Sequence, residues 1–306
     1  MILVCGAADD EPVVLLLSAL EAAGVDFGLL DLRTYPGGYL LSWTSDGRPP
    51  RGTLRGHDFE VELERVAGVF VRHASSAAAP TLSPALHESA ALEAQAALVV
   101  ILEQLPCRVV NRHNAGLANS SKWYQSRLIR AAGFRVPVSL VTTDASTAEQ
   151  FSTAYLGGVI IKPLSGIRAI VRRVEPRDID RLRRQRARVP IYLQAYVPGV
   201  NIRVHVVGDQ VFATRCRSNV IDYRHAASLG GETTLEPMQL PAHVEDACRQ
   251  LNDSSGLLLS GIDLKRTPEG EYYCFEVNPS PVFSWYETQT DQPISTAIVN
   301  LLARSA

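Results

Sequence analysis

The sequence lacks an excess of charge of either sign, paired cysteines and any long apolar run. Its 30 basic and 32 acidic residues leave a net charge of −2, so no overall field attracts nucleic acid or a membrane surface. The five cysteines are an odd number and form no C-x-x-C pair, which argues against a disulfide framework and a structural zinc site. No apolar run is long enough to span a bilayer, and the N-terminus lacks the basic start of a signal peptide. A reduced cytoplasmic protein is expected, with neither nucleic acid nor membrane as a partner.

Several familiar nucleotide and hydrolase motifs are also missing. The chain has no G-x-x-x-x-G-K-S/T phosphate loop, and no G-x-G-x-x-G follows its first strand-like run. No G-x-S-x-G elbow surrounds a serine, which argues against a serine hydrolase. The seven histidines show no metal-ligand spacing. If this chain binds ATP, it must do so by the rules of another fold.

The order of apolar runs predicts an α/β chain with several lobes. The 306 residues, 46% of them hydrophobic, are enough for two or three lobes. Strand-like, helix-like and strand-like runs over 1–5, 11–23 and 25–30 predict a small parallel sheet. A long alanine-rich helix is predicted over 86–105. We expect lobes over 1–115, 116–190 and 191–306.

The most informative stretch is 256–287, which predicts a β-hairpin. Two alternating runs, 260–266 and 271–277, flank a turn sequence over 267–270. If Thr267 and Gly270 face each other, Asp263 lies opposite Cys274.

The two faces of this hairpin differ in chemistry, because side chains alternate along a strand. The predicted apolar face holds Ile262, Leu264, Tyr273, Phe275 and Val277, and the other face holds Asp263, Glu276 and Asn278. Neighbouring carboxylates repel unless a cation lies between them, and hard oxygen ligands suit magnesium that carries phosphates. The alternative is an edge hairpin with solvated charges, and a register slip of one residue would scatter the set.

Two lysines and three arginines occupy positions where an anion could bind. Lys162 ends an apolar strand and Lys122 lies early in a helix, so each either meets a phosphate or extends into solvent. Pairing across the turn at 208–209 would bring Arg203 near Arg215. A set of guanidiniums on one sheet face could clamp phosphoryl oxygens, and the alternative is exposed arginines without a role. The members of this set are Arg203, Arg215 and Arg217.

A segment from Arg172 to Arg188 is dense in arginine. Most charge runs of this kind are solvated helix faces. The functional alternative is a docking surface for an acidic peptide or protein.

Together these segments resemble the ATP-grasp superfamily. The resemblance is carried by Lys122 and by five segments: IIKPLSG, LQAYVPGVNIRVHVVGDQVFATRCRS, DYR, GIDLKR and CFEVNPSP. The chain is most similar to RimK-like carboxylate–amine ligases and, among these, to the graspetide (microviridin-type) ligases that crosslink ribosomal peptides through side-chain esters or amides. The resemblance covers 107–303 well and the first lobe loosely.

The resemblance implies an ATP-grasp fold with an N-terminal pre-ATP-grasp α/β domain and ATP held between the later two lobes. It implies that Lys122 and Lys162 contact phosphates, that the segment Gln194, Ala195, Tyr196 and Val197 offers backbone bonds to adenine, and that Asn201 contacts ribose. Arg203, Arg215 and Arg217 correspond to phosphate- or acyl-phosphate-binding positions, with Arg203 and Arg215 as the catalytic candidates. Asp263, Glu276 and Asn278 correspond to the Mg2+ ligands.

The implied reaction activates a carboxylate with ATP as an acyl phosphate, which an amine or hydroxyl then attacks. We expect a peptide or protein substrate with acidic side chains, bound through 172–188. Two alternatives stay open: a ligase of small amino acids, and a non-catalytic nucleotide-binding module. The second is suggested by the loop at 164–170, which is shorter and poorer in glycine than the resemblance predicts. Relatives of this kind are often homodimers, and the apolar helix at 86–105 could serve such an interface or simply the core.

Overall fold

The N-terminal segment forms the predicted parallel sheet, with a small antiparallel sheet inserted into it. The computed structural model describes residues 1–72, 84–164, 171–184 and 189–304. The elements of this segment are β1 (Ile2–Gly6), α1 (Glu11–Ala22), β2 (Phe27–Asp31), β3 (Leu40–Thr44), β4 (Arg51–Arg55), β5 (Glu60–Glu62), β6 (Gly68–Val71), α2 (Pro84–Gln104) and β7 (Arg108–Val110). The parallel sheet has the order β2-β1-β6-β7, and β3, β4 and β5 form the inserted sheet.

The middle segment forms an antiparallel sheet with two helices packed on it. Its elements are α3 (His113–Gly116), α4 (Lys122–Ala131), β8 (Ser139–Thr142), α5 (Ala145–Ala154), β9 (Val159–Lys162), β10 (Arg172–Arg173), α6 (Pro176–Arg184) and β11 (Ile191–Ala195). The strand order is β10-β9-β11-β8. Ala148 of α5, Ile179 and Leu182 of α6 and Leu193 of β11 share one core. Ser121 caps α4, because its side chain accepts a hydrogen bond from the Tyr124 amide.

The C-terminal segment forms a five-stranded antiparallel sheet. Its elements are β12 (Val200–Val207), β13 (Gln210–Ser218), β14 (Thr233–Met238), α7 (Ala242–Ser254), β15 (Leu259–Arg266), β16 (Tyr272–Asn278), α8 (Ser284–Thr290) and α9 (Ile294–Ala303). The order is β14-β13-β12-β15-β16. The sequence did not predict β14 or α8. Half of the six residues of β14 are polar, and the strand lies at a sheet edge, where one apolar face is not required.

The two faces of this sheet bury different neighbours. One face packs against α4 and α7, and its core includes Val204, Ile262, Cys274 and Leu251. Part of the other face packs against α8, α9 and the N-terminal segment, in a core that contains Val207, Phe283 and Ile298. The remainder of this second face is open toward the middle sheet, and the candidate site lies there.

The sheets divide the chain slightly differently from the predicted lobes. Strand β11 lies beyond the predicted boundary at residue 190, yet it pairs with β8 and β9 of the middle sheet. If lobes follow sheets, the middle lobe extends to Ala195. The three-lobe division itself stays a prediction.

Two further sequence expectations concern the cysteines and the membrane. Cys5, Cys107, Cys216, Cys248 and Cys274 are all buried free thiols. None of the helices within the described ranges combines the length and apolarity that a membrane crossing requires. The cytoplasmic location stays a prediction.

Asn111 ties the N-terminal segment to the C-terminal sheet. Its Nδ2 donates to the carbonyls of Leu259 (2.7 Å) and Pro279 (2.5 Å), and its Oδ1 accepts from the amides of Leu258 and Leu259. Because Asn111 is buried, water does not reach these backbone groups to take its place as a hydrogen-bond partner. One side chain therefore holds both the start of β15 and the turn after β16.

Replacing Asn111 should destabilise the protein strongly. Asn111→Ala leaves buried backbone groups without partners, so we expect the free energy of unfolding to fall by about 3 kcal/mol. Denaturant unfolding followed by circular dichroism measures the change. Asn300→Ala, at an exposed position of α9, is the matched control and should change it by less than about 0.5 kcal/mol. Equal stability of the two variants would contradict the role of Asn111.

Candidate active site

The predicted hairpin is present, but its register differs from the prediction. The Thr267 amide donates to the Glu271 carbonyl, which closes the turn one residue later than predicted. A β-bulge then places Phe275 as an extra residue, so that Leu264 pairs with Cys274 while Asp263 pairs with Glu276. The predicted pairing of Asp263 with Cys274 is therefore wrong.

The turn shifts the pairing by one residue and the bulge shifts it by one more. Because side chains alternate between faces, a total shift of two residues keeps the two carboxylates on one face. Asp263 and Glu276 lie opposite each other and line a cavity between the middle and C-terminal sheets. Between the turn and the bulge, the residues of β16 lie on the opposite faces from those predicted. Cys274 lies in the core, while Phe275 lines the cavity and Tyr273 pairs with Lys265, so the predicted apolar side for both aromatics is wrong.

The third predicted oxygen ligand lies at the end of the same strand. Asn278 pairs with Gly261, and its Oδ1 accepts a hydrogen bond from the Ser280 amide at 2.9 Å. Within the described ranges no three His, Cys, Asp or Glu side chains form an all-protein metal site. The Asp263 and Glu276 carboxylates suit a cation that takes further ligands from phosphate oxygens and water.

Arg203 makes a buried ion pair with Asp263. The two residues are opposite each other on β12 and β15, and the Arg203 Nη1 to Asp263 Oδ1 distance is 2.7 Å. Burial would lower the pKa of Arg203, but the Asp263 carboxylate outweighs it and holds that pKa above its ordinary value. The guanidinium lies 5.7 Å from the Tyr286 ring centre. Gly261 makes room for it, because a Cβ at that position would overlap the guanidinium.

Arg215 and Arg217 lie on the other face of the sheet from Arg203. Arg203 pairs with Thr214 rather than Arg215, because the 208–209 turn closes between Val207 and Gln210. The predicted approach of Arg203 to Arg215 on one face is therefore wrong by one residue. Arg215 and Arg217 do point the same way, and both contact Glu236, at 3.5 and 3.4 Å.

The two predicted phosphate lysines lie close enough to act on each other electrostatically. Lys162 ends β9 and lines the cavity, with its ammonium 5.2 Å from the Phe275 ring centre. Burial lowers the pKa of Lys162 to about 8, and the nearby Glu276 carboxylate opposes this shift. Lys122 is the first residue of α4, and its charge acts on Lys162 in the same direction as burial. Lysines in this state gain from an anionic ligand.

The predicted adenine segment lies along one wall of the cavity. Tyr196, Val197 and Asn201 line it. Gln194 lies on the same sheet face as Ile160 and Lys162, where its Nε2 donates to Ser139 Oγ at 3.1 Å and Tyr192 Oη at 3.2 Å. The Ala195 amide is already bonded to the Val138 carbonyl.

Four polar residues that line this cavity were not predicted as site residues. They are Asp222, Tyr223, Arg224 and Lys265. Burial would raise the pKa of Asp222, but hydrogen bonds from Arg224 outweigh it and lower that pKa. The DYR segment carried part of the resemblance without an assigned role. Lys265 could have been found from its place two residues after Asp263, on the same strand face.

Two predicted features lie partly outside the described residues. They are the loop at 164–170, of which only Leu164 is described, and the end of the arginine-rich segment, with Arg186 and Arg188.

Comparison with known proteins identifies the family. A model of the RimK-like ATP-grasp domain matches residues 119–302, more than half of the chain. The α-aminoadipate–LysW ligase LysX of Sulfurisphaera tokodaii is 26% identical over 196 residues, which is 60% of this chain and 67% of that ligase.

Solved structures extend the likeness to the whole chain. The macrocyclase MdnC of Microcystis aeruginosa MRC, bound with precursor peptide MdnA, covers 100% of both chains with a TM-score of 0.85 and 23% identity, which shows the shared fold. The ATP-grasp ligase PsnB, complexed with minimal precursor, Mg and ADP, is 28% identical with a TM-score of 0.80, over 98% of this chain and 96% of that one. These matches agree with the segments that carried the resemblance. The chain belongs to the RimK-like ATP-grasp family of ligases.

Proposed function

We propose that this ligase uses ATP and Mg2+ to activate a carboxylate of a peptide or protein side chain and joins it to an amine or hydroxyl, in the maturation of a ribosomal peptide. The observation that carries the peptide assignment is the whole-chain likeness to PsnB, solved with minimal precursor, Mg and ADP. The amino-acid ligase LysX matches only 60% of the chain.

The residues of the cavity fit the two cofactors of this reaction. Asp263 and Glu276 face each other and would hold Mg2+, with Asn278 beside them at the end of β16. When bound, Mg2+ would neutralise charge on the phosphates. Lys162 and Lys122 would contact phosphate oxygens, and Tyr196 and Val197 would flank the base.

Arg203 is suited to stabilise the phosphoryl group that moves from ATP to the carboxylate. It is buried, and its pair with Asp263 fixes one side of the guanidinium. A fixed cation in a dry site costs little reorganisation when charge develops. The reaction releases ADP, and attack by the amine or hydroxyl then releases phosphate. Arg215 and Arg217 lie on the other face of the sheet from Arg203 and pair with Glu236, so the proposed contact with the acyl phosphate falls to Arg203 alone.

The peptide is proposed to dock on the arginine-rich segment, but fewer arginines are free than the sequence indicates. Arg172 pairs with Asp178, Arg177 with Glu175, and Arg183 with Asp180 and Glu149. Arg181 and Arg184 are exposed on α6 without a carboxylate partner among the described residues. These two therefore carry the proposed attraction for an acidic peptide.

A ligase of small amino acids is the second candidate. Its support is the similarity to LysX and to a probable α-L-glutamate ligase of Haemophilus influenzae, which is 26% identical over 205 residues. The homodimer stays a prediction under either candidate.

Removing one carboxylate should abolish the effect of Mg2+ on nucleotide binding. Glu276→Gln and Asp263→Asn each remove a proposed Mg2+ ligand. The factor by which Mg2+ increases the affinity for ADP should therefore be at least tenfold smaller in each variant than in the unaltered protein. Isothermal calorimetry with ADP, with and without Mg2+, measures this. Glu271→Gln, in the same hairpin and paired with Arg135, is the control and should behave normally. An unaltered Mg2+ effect in both site variants would refute the metal assignment.

Charge reversal on α6 should separate the two candidates. Arg181→Glu with Arg184→Glu should weaken binding of a short synthetic peptide rich in Glu and Thr at least tenfold at low salt, because attraction becomes repulsion. Fluorescence anisotropy of the labelled peptide measures it. Arg48→Glu with Arg51→Glu, exposed residues near β4, is the matched control. Unchanged peptide affinity would refute the docking role of α6, and failure of the unaltered protein to bind the peptide would favour the small amino-acid ligase.

Nucleotide affinity should fall as the pH rises through 8. The charged form of Lys162 is the one that attracts phosphate, and its pKa is about 8. Affinity for ATP without Mg2+ should be constant below about pH 7 and decline above pH 8, by up to tenfold per unit. Calorimetry between pH 6.5 and 9.5 tests this. Burial also lowers the pKa of Lys265 in the same cavity to about 8, so Lys162→Arg, which stays charged, should make the decline less steep without abolishing it; an unchanged slope in that variant would contradict the assignment.

A further inference from the structure

Lysine is rare in this chain, and its few lysines gather at one place. Of the 30 basic residues, only Lys122, Lys162 and Lys265 are lysines. Lys162 and Lys265 line the cavity, and the charge of Lys122 acts on Lys162. The chain otherwise uses arginine. A compact ammonium in place of a planar guanidinium therefore occurs only in and beside this cavity.

Lys265 is the most buried of the three. Only 8% of it is exposed, and no described carboxylate pairs with its ammonium. Its Nζ lies 5.1 Å from the ring centre of Tyr196 and 5.9 Å from that of Phe275. Such ring contacts offset part of the cost of burying a cation, but they leave its hydrogen-bonding capacity unused. A ligand in the cavity would supply the missing acceptors.

The position of Lys265 along its strand indicates which part of a nucleotide it meets. Lys265 lies on the same face of β15 as Asp263 and two residues after it. The distance along the strand between these two residues is about 7 Å. Across the sheet it is opposite Asn201, and the Tyr196 ring lies beside it. Lys265 therefore lies between the end of the cavity proposed for phosphates and the wall proposed for the base. In a nucleotide, the sugar occupies that interval.

We propose that Lys265 binds the ribose of the nucleotide, with Asn201 as its partner. The ammonium donates to a ribose hydroxyl oxygen, and the Asn201 amide oxygen accepts a hydroxyl hydrogen. This assignment rests on the proposed nucleotide function of the cavity. It separates the roles of two lysines that face one cavity: Lys162 serves the phosphates and Lys265 serves the nucleoside.

Binding of adenosine and ATP without Mg2+ tests the separation. Lys265→Met keeps the apolar stem and removes the donor, so the affinities for adenosine and for ATP should fall by the same factor, about tenfold. The test is repeated with 2′-deoxyadenosine and with 3′-deoxyadenosine. The analogue that lacks the hydroxyl bonded to Lys265 should bind Lys265→Met and the unaltered protein with equal affinity. Lys162→Met, the matched variant, should weaken ATP and leave adenosine unchanged.

The outcomes discriminate clearly. Loss of ATP affinity without loss of adenosine affinity in Lys265→Met would assign Lys265 to the phosphates and overturn the proposal, as would no change for either ligand. If the unaltered protein binds neither ATP nor adenosine, the proposed function fails together with this assignment.

A second measurement needs no variant. Because the chain has three lysines, labelling with an amine-reactive ester, followed by mass spectrometry of peptides, reports each ε-amine separately. Adenosine should protect Lys265 and leave Lys162 reactive, whereas ATP should protect both. Protection of Lys162 alone by adenosine, or of neither lysine, would overturn the proposal.

Discussion

The floor of the cavity depends on one extra residue in a strand. With Phe275 bulged out of the ladder, Glu276 lies directly opposite Asp263, and Val277 returns to the core beside Ile262. Without the bulge, the alternation set at the turn would send Glu276 into the apolar core between the sheet and its helices. The Phe275 ring faces the cavity by ordinary alternation after the core residue Cys274, and it lies against the Lys162 ammonium. The bulge then keeps Glu276 on that same face, so a local irregularity of the backbone determines the carboxylate pair.

The charges of the cavity are balanced in a particular way. Asp263 is paired with Arg203, and Asp222 with Arg224, so these four charges are mutually compensated. Glu276, Lys162 and Lys265 have no ion-pair partner within the part of the chain that the structure describes. An arrangement of this kind keeps a rigid charged frame in place while leaving one carboxylate and two ammoniums for a ligand. A divalent cation and a polyphosphate have complementary charges for these groups.

How far the sequence predicts this site differs from residue to residue. Strands β15 and β16 were expected near their observed bounds, because their residues alternate in polarity on either side of a turn sequence. The bulge was not predictable, because Phe275 is not a residue that marks a bulge. The closure of the turn did have a signal, since Gly270 has a positive φ of 89° at the last position of a three-residue loop. Lys265 escaped notice because a Lys-Arg pair before a turn is typical of an exposed strand end. Asp222 and Arg224 reach the cavity only through the tertiary fold, which no local pattern encodes.

One core joins the two ends of the chain. Ile2, Val4, Leu16 and Phe70 of the N-terminal segment pack with Ile298 and Leu302 of α9, and the backbone of Gly68 lies directly against Leu302. During synthesis, the first parallel strands leave the ribosome long before α9 exists. One face of the N-terminal sheet therefore stays uncovered, with its apolar side chains exposed, until α9 has been made. The sheet is completed only by an element almost 300 residues further along the chain, and until then its uncovered face favours aggregation.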